Sequence, residues 1–313
     1  MLYFSQRMET KTTYIGGITM EFMRYSCEDG NLNGLHHRFI QPPQVAYFVT
    51  TCDKYGNMNT TPVTMGTCIG HNFFSFTLSN LHVEANEWDL DNNEWKDCIK
   101  QGYANLREVP ECVISYYGHD MVRESWIAGC PVPKGISEID VMGCTQLPST
   151  VVKPCGIAEC PINLECKVLH VHKLGKRWVN FIVEVVYGTV HKSLVEANEQ
   201  GPLAGYGMLA MDPVFEVMIA SGNTPETKAC RLYYDRLDFD KIERCPEDVG
   251  YDADWIGSFE GWIHDEVGHG HITAEEEQRA IELKKLWEVN RDPVSNASVR
   301  AELTALLRKA VGK

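Results

Sequence analysis

QVAYFVTTCDKYGNMNTTPVTMGTCIGHNFFSFTL, residues 44–78, carries the reading of the fold. Its first run, Gln44–Thr51, is rich in Val, Tyr, Phe and Thr, residues that suit a pleated, half-buried surface. The run stops at Asp53-Lys54-Tyr55-Gly56-Asn57, where Gly and Asn tolerate positive φ, so a tight turn and a hairpin are expected. Past the turn, Asn59, Thr60, Thr61, Pro62 and Thr64 set an amide and three hydroxyls within six residues. Pro62 lacks a backbone donor and keeps this stretch out of a central ladder. Such a segment is either an ordinary Thr-rich strand or a source of donors for a phosphate or a heterocycle edge.

Outward from this hairpin the order is β first, α last. Trp95–Arg107 can form a helix, Glu111–Tyr117 a strand, and His119–Ala128 a short helix before the Gly/Pro-rich run 129–135. Ile162, Leu164, Cys166 and Val168 alternate with Asn163, Glu165 and Lys167, the period of a half-buried strand. The chain turns at 174–177 into Trp178–Val190, whose run FIVEVVYGTV reads as buried on both faces. Residues 200–236 read as loops with a short strand near 228–234. In the tail, Thr273 and Glu276 form a capping box for a helix over 274–290, and a second helix over 298–310 carries Val299, Leu303, Leu306, Leu307 and Ala310 on one face.

Composition bounds the function. The 313 residues can hold one large domain or a domain with an appendage. A net charge of −14 and the lack of a Lys/Arg-rich run argue against nucleic acid and against an anionic membrane surface. The first residues lack the charged segment and apolar core of a secretory signal, so a cytoplasmic protein is expected. The twelve cysteines then read as reduced thiols. Cys155, Cys160 and Cys166, at gaps of five and six positions, do not suit a zinc knuckle. The motifs GxGxxG, GxxxxGK[ST], GxSxG and HExxH are missing.

HDEVGHGHIT gathers His264, Asp265, Glu266, His269 and His271 within eight residues. Such a set can bind a divalent metal or act as acid/base groups. Because it directly precedes a helix N-cap it reads as a polar loop, and no metal site is assigned. His264 and His271 stand as candidate proton donors to a reduced substrate.

The blocks DKYGNMNTTPVTMGT, KDCIKQGYANL, ECVISY and PINLECKVLHVHKLGKRWVNFIVEVVYGTV follow one another in the order and spacing of a known family. In this the chain resembles the flavin reductase-like FMN-binding split-barrel proteins, most of all the flavoredoxin branch. The resemblance implies a mainly β fold, a six-stranded antiparallel split barrel with peripheral helices, over residues 40–236. Residues 1–39 are then an N-terminal extension, and 237–313 a C-terminal extension of a loop and two helices. It further implies a homodimer with FMN bound noncovalently near the subunit interface.

The family's flavin contacts map onto Asn59, Thr60, Thr61, Pro62, Val63 and Thr64, onto Ser75, Thr77, Leu78 and Ser79 in the next strand, and onto Lys96 and Asn105. Cys98 replaces the family's Thr, which leaves more of the phosphate role to Lys96. Phe74, Phe76 or Trp126 can wall the flavin ring, and Trp255, Trp262 and His264 of the extension can line a substrate pocket. The implied activity passes hydride or electrons from NAD(P)H or another donor to a flavin or a small aromatic or quinone-like acceptor. The alternatives are an electron carrier serving a redox protein partner, and a non-catalytic FMN-binding module.

Overall fold

The computed structural model describes residues 9–15, 18–24, 44–79, 100–174, 178–200, 215–219, 230–234, 242–244 and 259–313. A hairpin of β1 (Glu9–Ile15) and β2 (Ile18–Arg24) comes first. After β3 (Gln44–Val45), β4 (Tyr47–Cys52) is buried at every position, because its alternating side chains feed two separate cores. Tyr47 and Val49 join the barrel interior with Phe74, Phe76 and Phe181, whereas Phe48 joins a second core made with helices.

The expected turn is present. Asp53 Oδ1 accepts from the backbone N–H of Tyr55 and of Asn57, at 2.9 Å each, and Gly56 takes φ +84°. The chain returns as β5 (Met58–Val63), antiparallel to β4, with Pro62 opposite Phe48. Next come β6 (Gly66–Cys68), β7 (Phe73–Ser79), α1 (Gln101–Glu108) and β8 (Glu111–Tyr116). A turn of 3₁₀ helix at His119–Met121 leads into α2 (Val122–Ile127), then α3 (Glu138–Met142). After the short pair β9 (Gln146–Leu147) and β10 (Gly156–Ile157), the long hairpin β11 (Ile162–Leu174) and β12 (Trp178–Val190) follows, then α4 (Lys192–Gln200).

The main sheet runs β5-β4-β8-β11-β12-β7-β6 and is antiparallel throughout. Its two edge strands, β5 and β6, are consecutive in the chain and separated only by Thr64 and Met65, so the sheet curls until its edges meet. Thr77 N–H donating to Met65 O at 2.8 Å carries the β6–β7 ladder one residue further toward β5, and the result is a split barrel. The sheet holds seven strands rather than six, the additional one being three-residue β6. Pro62 lies on edge strand β5, where its missing donor is tolerated.

Two strand expectations are corrected. FIVEVVYGTV is not buried on both faces: Phe181 and Val183 face the core, and from Tyr187 onward β12 is exposed. On β11 the polar residues Asn163 and Glu165 are buried too. The loop around β9 and β10 covers them, with Glu165 accepting from the backbone N–H of Thr150, Val151 and Val152, and Asn163 pairing with both N–H and C=O of Ile157.

A second, four-stranded sheet orders as β15 (Ile242–Arg244), β14 (Cys230–Tyr234), β13 (Phe215–Ile219), then β3. The tail forms α5 (Phe259–Gly268), α6 (Ala274–Val289) and α7 (Ala297–Ala310). The capping box at Thr273 and Glu276 is formed, and Leu303, Leu307 and Ala310 are buried on α7 as their spacing requires. HDEVGHGHIT is not all loop, since His264–Gly268 lies in α5. The tail helices are integral to the fold: Trp262, Leu283, Trp287 and Leu307 share one core with Phe48, Tyr117, Ile127 and Ile139. Among the described residues no helix is long and apolar enough to cross a membrane.

Candidate functional site

The hydroxyl-rich strand divides into residues that hold the fold and residues that face outward. Asn59 is 6% exposed and donates through Nδ2 to Glu138 Oε1 at 2.6 Å, while Thr60 N–H donates to Glu138 Oε2 at 2.7 Å. The Thr60 hydroxyl lies 3.0 Å from the Thr50 hydroxyl and is fully buried. Val63 packs into the barrel core. That leaves Thr61 and Thr64, with Pro62 between them, as the half-exposed positions.

Glycine at 102 lets α1 come down onto this strand. A Cβ there would lie 3.1 Å from Asn59 Oδ1, 3.3 Å from Thr61 Oγ1 and 3.8 Å from Leu78 Cδ1, so only hydrogen fits comfortably between α1, β5 and β7. Lys100 occupies the N-cap without a side-chain capping bond. The first amides of α1 have no intrahelical acceptor, and the helix dipole adds positive potential at that end. A helix N-terminus beside the Thr61 hydroxyl is an arrangement that accepts an anionic phosphate oxygen. These residues fit the phosphate end of FMN.

Other mapped positions do different work. Asn105 is 3% exposed and donates to Thr51 Oγ1 at 3.1 Å, pinning α1 to β4 rather than facing a ligand. Leu78 is a core residue. Ser75 and Thr77 accept from Asn180 Nδ2 at 2.8 and 3.1 Å on the opposite face of β7 from Phe74 and Phe76. Lys96 and the side chain of Ser79 lie outside the described residues. The proposed ring walls are taken as well: Phe74 and Phe76 fill the barrel core, and Trp126 the second core.

The extension touches the cradle through different residues from those expected. Trp255 lies outside the described residues, and Trp262 is fully buried in the second core rather than lining a pocket. Trp287 instead donates from Nε1 to Lys134 O at 2.7 Å and packs against Gly135, whose N–H donates to Gln101 Oε1 at 3.0 Å. A chain of contacts thus runs from α6 to the first residue of α1.

His264 and His271 are not brought together. His264 is three-quarters exposed and its Nδ1 lies 3.0 Å from Glu277 Oε1, on the face of α5 turned away from Glu266. The Nδ1 of His271 lies 2.7 Å from Glu266 Oε2. Two helical positions are 200° apart, which sends residues 264 and 266 to opposite sides.

Glu138, Gly102 and Gln101 are the positioning residues that sequence reasoning missed. Ser137 ahead of two acids is a legible helix start, and the Ser137 side chain does accept from Asp140 N–H, but nothing local pairs Glu138 with Asn59. Burial pushes the Glu138 carboxyl up to about 8, against the opposing pull of the Thr60 and Asn59 donors.

Two curated relatives overlap the chain in part. An uncharacterised protein of Halalkalibacterium halodurans is 31% identical over 134 residues, 42% of this chain and 58% of that one. An uncharacterised protein of Pyrococcus abyssi is 33% identical over 94 residues, 30% and 53% respectively. The chain spans little more than half the length of these relatives. Among solved structures, flavoredoxin of Desulfovibrio vulgaris aligns at a TM-score of 0.46 and 19% identity, over 66% of this chain and 93% of that one. Nitrilotriacetate monooxygenase component B of Bacillus cereus aligns at 0.47 and 22%, over 65% and 87%. Residues 42–207, more than half of the chain, match the family described as flavin reductase like domain, and the chain belongs to that family.

Proposed function

We propose that the chain binds FMN with its phosphate at the N-terminus of α1 beside Thr61 and Thr64, and that it is an FMN-dependent oxidoreductase. Its electrons would come from NAD(P)H or another donor and go to a flavin or a small aromatic or quinone-like acceptor. The observation that carries this reading is the closure of Gly102 onto Thr61, which sets a half-exposed hydroxyl against a helix N-terminus inside the family's own domain.

Flavin, when bound, supplies the ring that accepts and gives up hydride. The chain's own task is to hold and orient. The Thr61 hydroxyl, now 3.5 Å from Asn59 Oδ1, would turn to donate to the ligand with that of Thr64, the α1 terminus offsets phosphate charge, and the bonds that Asn59 and Thr60 donate to Glu138 fix the strand presenting them. Hydride transfer needs no acid–base triad.

We further propose that a second copy packs on the β11–β12 arm. Beyond Lys167, β11 has no partner in β8, and Leu169, Val171 and Leu174 there are all more than two-fifths exposed. An open apolar edge of this kind is ordinarily covered.

The test is retention of FMN. Purified protein mixed with FMN and desalted should keep a visible flavin spectrum, and NADH or NADPH should bleach it without oxygen. Loss of all flavin on desalting, together with unquenched FMN fluorescence on titration, overturns the reading. Retained flavin that neither nicotinamide reduces, but that a redox protein does, replaces the reductase with an electron carrier.

A further inference from the structure

Outside the family domain, the end of α5 gathers two imidazoles around one buried carboxylate, three metal-ligand side chains in all. Glu266 is 3% exposed. Its Oε1 accepts from the indole N–H of Trp262, one turn earlier, at 3.1 Å. Its Oε2 lies 2.7 Å from His271 Nδ1 and 3.5 Å from His269 Nδ1. The helix stops at Gly268 and the chain reverses through Gly270 at φ +76°, a conformation that favours glycine. That reversal swings two imidazoles, at alternate positions, back onto the same carboxylate, with ring centroids 5.8 Å apart.

One donor atom from each of Glu266, His269 and His271 lies within 4.8 Å of the others. Bonds of about 2.1 Å to a metal separate neighbouring ligand atoms by about 3–3.5 Å, so the set needs side-chain adjustment only. Backbone bonds already close the helix end, His269 N–H to Asp265 O and His271 N–H to Glu266 O, so neither imidazole is needed to cap it. Two imidazoles converging on a carboxylate already oriented by an indole N–H is the arrangement of ligands with an outer-shell partner.

The open side faces a cavity of about 320 Å³, whose wall includes Arg123, Trp126, Ala310 and Val311. The Arg123 guanidinium donates to Val311 O and brings positive charge to this wall. We propose that Glu266, His269 and His271 form a two-histidine, one-carboxylate site for a divalent transition metal such as Zn²⁺, with its remaining coordination positions directed into the Arg123 cavity and open to water or a small anion. Imidazole nitrogen selects such metals over Mg²⁺ and Ca²⁺, which prefer all-oxygen shells.

The test uses the full chain, treated with chelator and titrated with Co²⁺ in the visible range. One equivalent should bind, with d–d bands of nitrogen and oxygen coordination, and Zn²⁺ should displace it. Because Cys68 is exposed, a thiolate-to-cobalt charge-transfer band marks binding elsewhere. His269→Ala and His271→Ala should each lower affinity by more than the roughly 10–100-fold expected of an outer-shell change such as Trp262→Phe. His264→Ala should leave it unchanged, since that imidazole faces Glu277. Azide should shift the bands of the wild type by entering an open position. Absence of saturable binding, a thiolate band in the first equivalent, or unchanged affinity in both folded His269→Ala and His271→Ala overturns the metal site. Bands insensitive to azide overturn its open coordination.

Discussion

Asn59 Nδ2 donates to Glu138 Oε1 across 2.6 Å, joining the edge strand of the barrel to a five-residue helix 79 positions away. With Thr60 N–H on the other oxygen, one buried carboxyl holds the backbone of the candidate flavin strand. Its proton makes that grip pH-dependent. The folded carboxyl titrates near 8 and the unfolded one near 4.5, so between those values the native state carries a proton that the unfolded chain has lost. This group's stabilising contribution is therefore full below about pH 4.5 and is lost as pH rises toward 8, by at most about 1.4 kcal/mol per pH unit. Urea unfolding at pH 5.5 and 8 should show wild type losing stability against Glu138→Gln as pH rises. Parallel profiles would mean that the folded carboxyl is ionised across the range.

The hydroxyls of β5 should separate by role. Thr61→Ala and Thr64→Ala, at half-exposed positions, should each weaken FMN binding by about 1–2 kcal/mol while leaving the apoprotein's melting temperature nearly unchanged. Thr60→Ala breaks the buried pair with Thr50 and should do the reverse, costing about 1–3 kcal/mol of stability. Fluorescence titration of FMN beside thermal melts decides this, and an FMN defect confined to Thr60→Ala would refute the assignment.

Gly102→Ala sets helix propensity against close approach. Alanine gains less than the roughly 1 kcal/mol of a helix interior here in the first turn, and its methyl would sit 3.1 Å from Asn59 Oδ1 and 3.3 Å from Thr61 Oγ1. Stability should change little, and FMN affinity should fall because the Thr61 hydroxyl is crowded. Unchanged affinity would place the phosphate elsewhere.

The hairpin of residues 44–63 was readable because alternation, a turn and a proline agree locally, and the capping box at Thr273 was readable for the same reason. What escaped depends on distant covers. Asn163 and Glu165 look like the solvent side of a strand until the loop at 146–157 satisfies them. Helix α5 did carry a signal, Phe259, Trp262, Ile263 and Glu266 at helical spacing, obscured by the histidines and glycines that follow. At the candidate site the Thr-rich run is legible as a strand, but which of its hydroxyls are taken up by the fold is fixed by Glu138 and Thr50, and no local pattern names those partners.

The β6–β7 ladder makes a sharper stability prediction. A Cβ at Gly66 would collide with the Tyr47 hydroxyl and sit 2.5 Å from the Ser75 carbonyl oxygen, forcing β6 off β7. Gly66→Ala should cost about 1–3 kcal/mol or more. Tyr47→Phe alone should cost little, because that buried hydroxyl has no hydrogen-bond partner among the described residues. Added to Gly66→Ala it should restore only part of the loss, since the Ser75 backbone stays in place. Full stability of the single Gly66 variant in urea would show that the β6–β7 ladder yields freely.

The exposed arm gives the test of assembly. Residues 168–174 of β11 pair with β12 but extend past β8, and Val171 and Leu174 are about half exposed there. Charges at these two positions leave the β11–β12 ladder and both cores intact, so Val171→Glu with Leu174→Glu should keep the wild-type circular dichroism and melting profile of a folded barrel. If the arm is where two copies meet, light scattering after gel filtration should give twice the chain mass for wild type and the chain mass for the double variant. A wild type that is monomeric at every concentration would remove the second copy from this edge. A double variant that stays dimeric would move the interface to another face, because two buried charges in an apolar strand contact cannot be accommodated without partners.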